Sequence, residues 1–299
     1  MVEGEVNRFY NKLISIKNVL VETFIEFTKE KSFIHCAALS YYTVLTLVPI
    51  IYLGFISVGK IIGQSTMVEI ISRFLHDNIG ITDTSGIIDF LETVDFEHGN
   101  VVVEIFGLIL ILFSSSALFK ALKTSINEYM NINRIFKTKR KKIIATIQTR
   151  LVSMLMLAFF GFVIILAYFS QTILISFGNM IFTDEGSFLT WFYHNSAQHG
   201  LAIASNVIIF MLVFKYLHDG FVEWKVAFIG SLFTSFLLYF GQLLIKYYLT
   251  TYFFARDGGL AGSMLIILVW MYYSAHIIFL GAKFTAIYGK RTNRPVRFD

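Results

Sequence analysis

The sequence predicts an all-α, polytopic membrane protein: a bundle of six transmembrane helices with an amphipathic N-terminal helix and a small helical cap outside the membrane. Three observations predict it. Of 299 residues, 56% are hydrophobic and only 15% charged, with mean hydropathy +0.67, whereas a soluble domain holds roughly 45–50% apolar and about 25% charged residues. The apolar residues gather in runs near the ~20 residues that cross about 30 Å of hydrocarbon. The connections between runs alternate between basic and acidic or neutral, which orients every crossing, because clustered Lys and Arg resist translocation.

Residues 1–35 read as a cytoplasmic amphipathic helix. Val6, Phe9, Leu13, Ile16, Leu20, Phe24 and Phe27 recur at steps of three and four, with Arg8, Lys12, Lys17, Glu22 and Glu26 on the other positions. Two readings fit that pattern: a helix lying on the membrane surface, or one packed on the protein's own cytoplasmic loops. The first ten residues lack a signal-peptide core, so the first span is expected to act as an uncleaved targeting signal.

The membrane domain is expected over 36–289. Span 1 (Cys36–Val58) is unusually polar, with Ser40, Tyr41, Tyr42, Thr43, Thr46 and Ser57, and Pro49 at mid-depth predicts a kink beside span 6. Residues 64–100 carry seven acids against Arg73 alone, so this loop is placed outside, as two short helices broken near Gly80–Gly86. Span 2 (Val101–Leu122) leads into a basic cytoplasmic connection, 123–150, that holds Arg134, Lys137, Lys139, Arg140, Lys141 and Lys142. Span 3 covers Leu151–Phe177. The loop 178–200, with Asp184, Glu185 and the aromatic group Trp191, Phe192 and Tyr193, belongs outside. Spans 4 (Leu201–Leu217), 5 (Val226–Leu249) and 6 (Leu260–Tyr288) complete the bundle. The tail 290–299 is basic and cytoplasmic, so both termini come out on the cytoplasmic side of the bacterial inner membrane.

Several stretches resemble the YihY/BrkB family of bacterial inner-membrane proteins, formerly labelled ribonuclease BN. The first span, A-A-L-S-Y-Y-T-V-L-T-L-V-P-I-I (Ala37–Ile51), is similar to the family's opening signature. The last span (Gly258–Thr285) resembles its small-residue entry, W-x-Y-x-S centre and L-G-A-E-x-T exit. S-I-N-E-Y (Ser125–Tyr129) and W-K-V-A-F-I-G-S-L-F-T (Trp224–Thr234) are similar in kind and order. One position departs: Lys283 stands where the family usually has an acid. The resemblance implies a six-span protein of the cell envelope, linked to envelope integrity, with movement or binding of lipids or amphiphiles as the mechanism.

Ionisable and polar groups inside spans are costly, by roughly 2.5–3.5 kcal/mol each for charged residues on insertion scales, and are functional candidates for that reason. Lys246, His276 and Lys283 qualify, although Lys283 is close enough to the span end to snorkel outward. A lipid or substrate path is expected between spans 1 and 6, lined by Ser40, Tyr41, Tyr42, Thr46, Pro49, Trp270, Tyr273, Ser274, His276 and Lys283. The basic residues Arg134, Lys137, Lys139, Arg140, Lys141 and Lys142 are expected to contact anionic lipid headgroups. The competing readings are a scaffold without a transported substrate and, less favoured, a tRNA-processing ribonuclease. Metal-assisted RNA hydrolysis needs converging carboxylates or histidines. Here the acids concentrate outside, and the histidines at 35, 76, 98, 194, 199, 218 and 276 show no H-x-H or H-E-x-x-H spacing. The sequence therefore predicts a protein that is not an enzyme, with no cofactor, no metal and no nucleic-acid partner. Its single cysteine, Cys36, leaves no intramolecular disulfide.

Overall fold

The computed structural model describes residues 2–29, 32–46, 63–75, 84–92, 101–132, 188–252 and 259–297, together with scattered positions between 152 and 180. These residues are helical, without strands. In order the helices are α1 (Val2–Lys29), α2 (32–46), α3 (Gln64–Phe74), α4 (Ser85–Glu92) and α5 (Val101–Tyr129), then α6 (the described positions from 152 to 180), α7 (Phe188–Tyr216), α8 (Trp224–Tyr252) and α9 (Gly259–Arg291). Pro49 and the basic residues from Arg134 to Lys142 lie outside the described residues, as does the predicted kink.

Among the described residues three helices are long and apolar enough to cross a membrane, at His199–Tyr216, Trp224–Tyr248 and Ala261–Arg291. Side-chain exposure points the same way. On α6, Val152, Leu155, Phe159, Phe162, Leu166, Ile173, Phe177 and Met180 are exposed. On α8, Phe228, Leu232, Phe236, Phe240 and Leu244 are exposed at steps of four. An apolar stripe left exposed at helical period is what a helix face turned toward acyl chains requires.

Helix ends fall outside the hydrocarbon boundaries that hydropathy marks. The aromatic group Trp191–Tyr193, expected in an outer loop, lies inside α7, and Tyr193 Oη donates to the Leu174 carbonyl at 3.0 Å. α5 likewise runs past Leu122 through Tyr129. Hydropathy reads where apolar burial stops, while backbone hydrogen bonding continues until a residue breaks it. No proline stands in either extension.

The chain forms two compact units. The first comprises residues 1–32, 123–239 and 278–299. In it the apolar side of α1 splits into two faces. Val19, Thr23 and Phe27 are buried, and Val19 packs with Phe284 and Ile287, flanked by Leu20, Ile229, Phe233 and Tyr288. Ile16, Val21, Phe24 and Ile25 remain exposed. Glu22 and Glu26 form a third edge that meets Arg291 and Lys283 of α9. The second half of α1 therefore packs against the last turns of a membrane-length helix.

The same unit joins α8 to α9 by two reciprocal notches. A Cβ on Gly230 would collide with Thr285, and a Cβ on Gly281 would collide with Thr234. Each threonine donates to the carbonyl four residues back, Thr234 to Gly230 at 2.8 Å and Thr285 to Gly281 at 2.7 Å. The hydroxyls are thus satisfied within their own helices, and two G-x-x-x-T faces close antiparallel.

The second unit comprises residues 33–122 and 240–277. Gly63 precedes α3 with φ 92°, a backbone region that glycine alone adopts freely, so it serves a turn. α2 buries Cys36, Leu39, Ser40 and Thr46 and leaves Tyr41 exposed. Tyr273 of α9 sits in a notch at Gly241 of α8, where a Cβ would strike its hydroxyl.

Candidate functional site

The second unit brings the start of α2 against α9. The Phe33 ring meets the edge of His276 with centroids 5.7 Å apart, and Cys36 lies within electrostatic reach of Tyr272. Residue number rises on one helix as it falls on the other, so the two run antiparallel. Tyr272 and His276 are themselves in edge contact, at 4.5 Å.

The polar side chains expected to line a path are mostly bonded within their own helices. Ser40 donates to Ala37 O (2.9 Å), Thr43 to Leu39 O and Thr46 to Tyr42 O (both 2.7 Å). On α9, Ser274 donates to Trp270 O (2.8 Å), and His276 Nδ1 is paired with Tyr272 O (2.9 Å), which requires the proton on Nδ1. These hydroxyls have spent their hydrogens but keep lone pairs as acceptors. Trp270 differs, because its indole N–H is buried and meets no acceptor among the described residues. A buried donor left unmade costs about 1–3 kcal/mol.

Ser40, Thr46 and Ser274 are buried, and Tyr42, Trp270 and His276 are half-buried. Tyr41 is 57% exposed, stacked edge-on with Tyr42, and stands outside the buried face. Tyr273 is turned to α8. Lys283 belongs to the first unit, at 1% exposure, with Nζ 3.7 Å from Glu26 Oε2. Its ammonium is enclosed beside α1, not snorkelled to the surface. Glu26 is held below the ordinary carboxylate range chiefly by the hydrogen bond from Lys29 at 3.2 Å, with Lys283 contributing less.

A second polar cluster stands in the first unit, around the connection between α7 and α8. Asp219 in the α7–α8 turn takes Lys123 of α5 at 2.9 Å, accepts from Asn127 Nδ2 at 2.9 Å, and donates its own N–H to Asn127 Oδ1 at 2.9 Å. Lys215 Nζ donates to Val222 O at 2.6 Å and lies 3.9 Å from the centroid of the Phe221 ring. Glu223 pairs with Arg294 at 3.0 Å. The S-I-N-E-Y motif thus has a visible job. Asn127 clamps the turn, while Tyr129 stacks between Phe27 (5.5 Å) and Phe279 (5.1 Å), joining α5 to α1 and α9. The sequence signal was Asn127 and Asp219, two small polar residues flanking membrane-length helices; their separation of 92 positions hid the pairing.

Among the described residues no three of His, Cys, Asp and Glu gather as a metal site would require. Compared with known families, residues 23–297 match the family described as Virulence factor BrkB. No curated protein and no solved structure matches the chain.

Proposed function

We propose that this chain, which belongs to the Virulence factor BrkB family, binds amphiphile headgroups along α2 and α9 and moves them across the bacterial inner membrane in support of envelope integrity. Family and apolar helices together make it an integral membrane protein. The finer reading has both termini cytoplasmic and six spans, from the alternation of charge. The observation that carries the headgroup path is the buried indole N–H of Trp270, about two turns along α9 from the Phe33–His276 contact, which meets no acceptor among the described residues. Carried about two turns on from Phe33 and His276, the antiparallel course brings Leu39 and Ser40 to the level of Trp270.

The chemistry of the two helices narrows the ligand. Neither 32–46 nor 259–282 contains Lys, Arg, Asp or Glu, so nothing there neutralises a phosphate. One N–H donor and several hydroxyl lone pairs suit a head bearing O–H or N–H donors beside a carbonyl. Anionic headgroups fit the basic residues Arg134–Lys142 at the cytoplasmic surface, where each cation gains on the order of 1 kcal/mol. In reconstituted vesicles, Trp270→Phe, Tyr42→Phe, Ser274→Ala and His276→Leu are expected to slow transfer of labelled lipids while the protein stays folded. Wild-type transfer no faster than in protein-free vesicles would refute movement.

The scaffold reading draws on one specific observation, that the α2 and α9 hydroxyls already donate to their own helices. For the ribonuclease reading, the acids nearest the proposed cytoplasmic face are occupied: Asp219 by Lys123 and Asn127, Glu223 by Arg294. Protein with Asp219→Ala and Glu223→Ala is expected to match wild type in a precursor-tRNA assay with Mg²⁺, both at background.

A further inference from the structure

The turn between α7 and α8 holds its histidine in one protonation state. His218 is 6% exposed. Its Nε2 is 2.7 Å from the Phe214 carbonyl, to which it donates, and the Gly220 N–H donates to its Nδ1 at 3.0 Å. An imidazole that donates from one nitrogen and accepts at the other is neutral. A proton on Nδ1 would turn that acceptor into a donor aimed at another donor.

Gly220 is also where the C-terminal tail arrives. A Cβ there would stand 2.9 Å from Val296 Cγ1 and 3.0 Å from Arg297 O. The next residue, Phe221, exchanges two backbone hydrogen bonds with Arg297, at 2.6 and 3.0 Å, in an isolated antiparallel bridge. We propose that His218 is an acid-sensitive latch for the C-terminal tail: its neutral ring holds the Gly220 amide and keeps Arg297 bridged to Phe221, and protonation of Nδ1 releases that bridge.

The charges around the ring favour the switch. Lys215 from α7 opposes a second cation and is itself fixed on Val222 O. Asp219 in the turn attracts one, but its carboxylate is shared with Lys123 and Asn127 of α5. Glu223, ahead of α8, is engaged by Arg294 of the tail, and that pair survives protonation of the ring, so the bridge opens while Arg294 stays tethered. Burial, the largest influence, pushes the imidazole below its ordinary value, partly offset by Phe214 and Asp219. The sign follows. A depressed histidine stabilises the closed turn fully above the ordinary range near ~6.5, and the stabilisation is lost as pH falls below it.

The latch is independent of the lipid-path reading, and full-length protein in nanodiscs tests it. Hydrogen exchange of peptides covering 292–297, corrected for intrinsic rates, should show protection falling severalfold, to a ceiling of about tenfold, between pH 7.5 and pH 5.5. His218→Gln keeps an acceptor and a donor but cannot take a proton, and it should hold equal protection at both values. Should that variant fail to assemble, ¹⁵N shifts of labelled histidine in wild type should show the Nε2–H neutral form at pH 7.5 and a protonation that tracks the loss of protection. Equal tail protection at both pH values, the same acid loss in His218→Gln, or release while His218 stays neutral would each overturn the proposal.

Discussion

Lys283 holds its charge inside the first unit, at 1% exposure. Near a span end, a lysine reads as free to snorkel, yet its side chain is enclosed, with its ammonium 3.7 Å from Glu26, which is also bonded to Lys29. Nothing local in the sequence announces this, because the partner lies 257 positions away on α1. A buried charge tolerates apolar replacement better than loss of the opposite charge beside it. Lys283→Met should therefore leave the unfolding midpoint in detergent unchanged or raised. Glu26→Ala, which removes a half-exposed carboxylate from beside the buried ammonium, should lower stability by about 1 kcal/mol. A larger loss in Lys283→Met than in Glu26→Ala would contradict the reading. The hydroxyls of α2 and α9 were legible as residues in need of partners. Which carbonyls they would use was not, because a helix offers each serine or threonine one three or four residues back.

Among the elements, the α8–α9 contact rests on shape. Gly281→Leu would drive a side chain into Thr234, and overpacking of this kind costs about 1–3 kcal/mol. Adding Thr234→Ala should recover part of the loss, and thermal unfolding of the single and double variants measures it. No recovery would mean that the two residues do not share a notch. The ring stack makes a parallel case. Tyr129→Ala removes the plate between Phe27 and Phe279 and should cost about 3–5 kcal/mol, as large aromatic truncations in cores do, whereas Tyr129→Phe should cost much less. The helices themselves were legible from periodicity, and the two short ones in the acidic segment appear as Gln64–Phe74 and Ser85–Glu92. Their ends were less so, since the chain stays helical beyond the apolar run at Trp191–Tyr193 and Ser125–Tyr129. The splitting of α1 was also hidden. Its apolar side is wide enough for two faces, and hydropathy does not distinguish the one that packs, at Val19 and Phe27, from the one left exposed, at Phe24 and Ile25.

The molecule as a whole was legible as a membrane protein from composition, and as a BrkB-type chain from its first and last spans. Its chemistry was not, because no dense set of charged groups marks a site and the polar residues of α2 and α9 serve structure and ligand contact equally well. A reporter fused after Arg297 should be active on the cytoplasmic side, as the charge alternation requires; activity only outside would reverse the threading. The central claim is that an amphiphile headgroup reaches Trp270 between α2 and α9. Trp191→Phe and Trp224→Phe leave Trp270 as the sole tryptophan of the three, so its emission in vesicles reports on its own surroundings. Lipids brominated close to the headgroup should quench Trp270 more strongly than lipids brominated deep in the acyl chain. Quenching only by the deep bromines, as for a helix face bathed in ordinary bilayer, or by neither, would contradict the account.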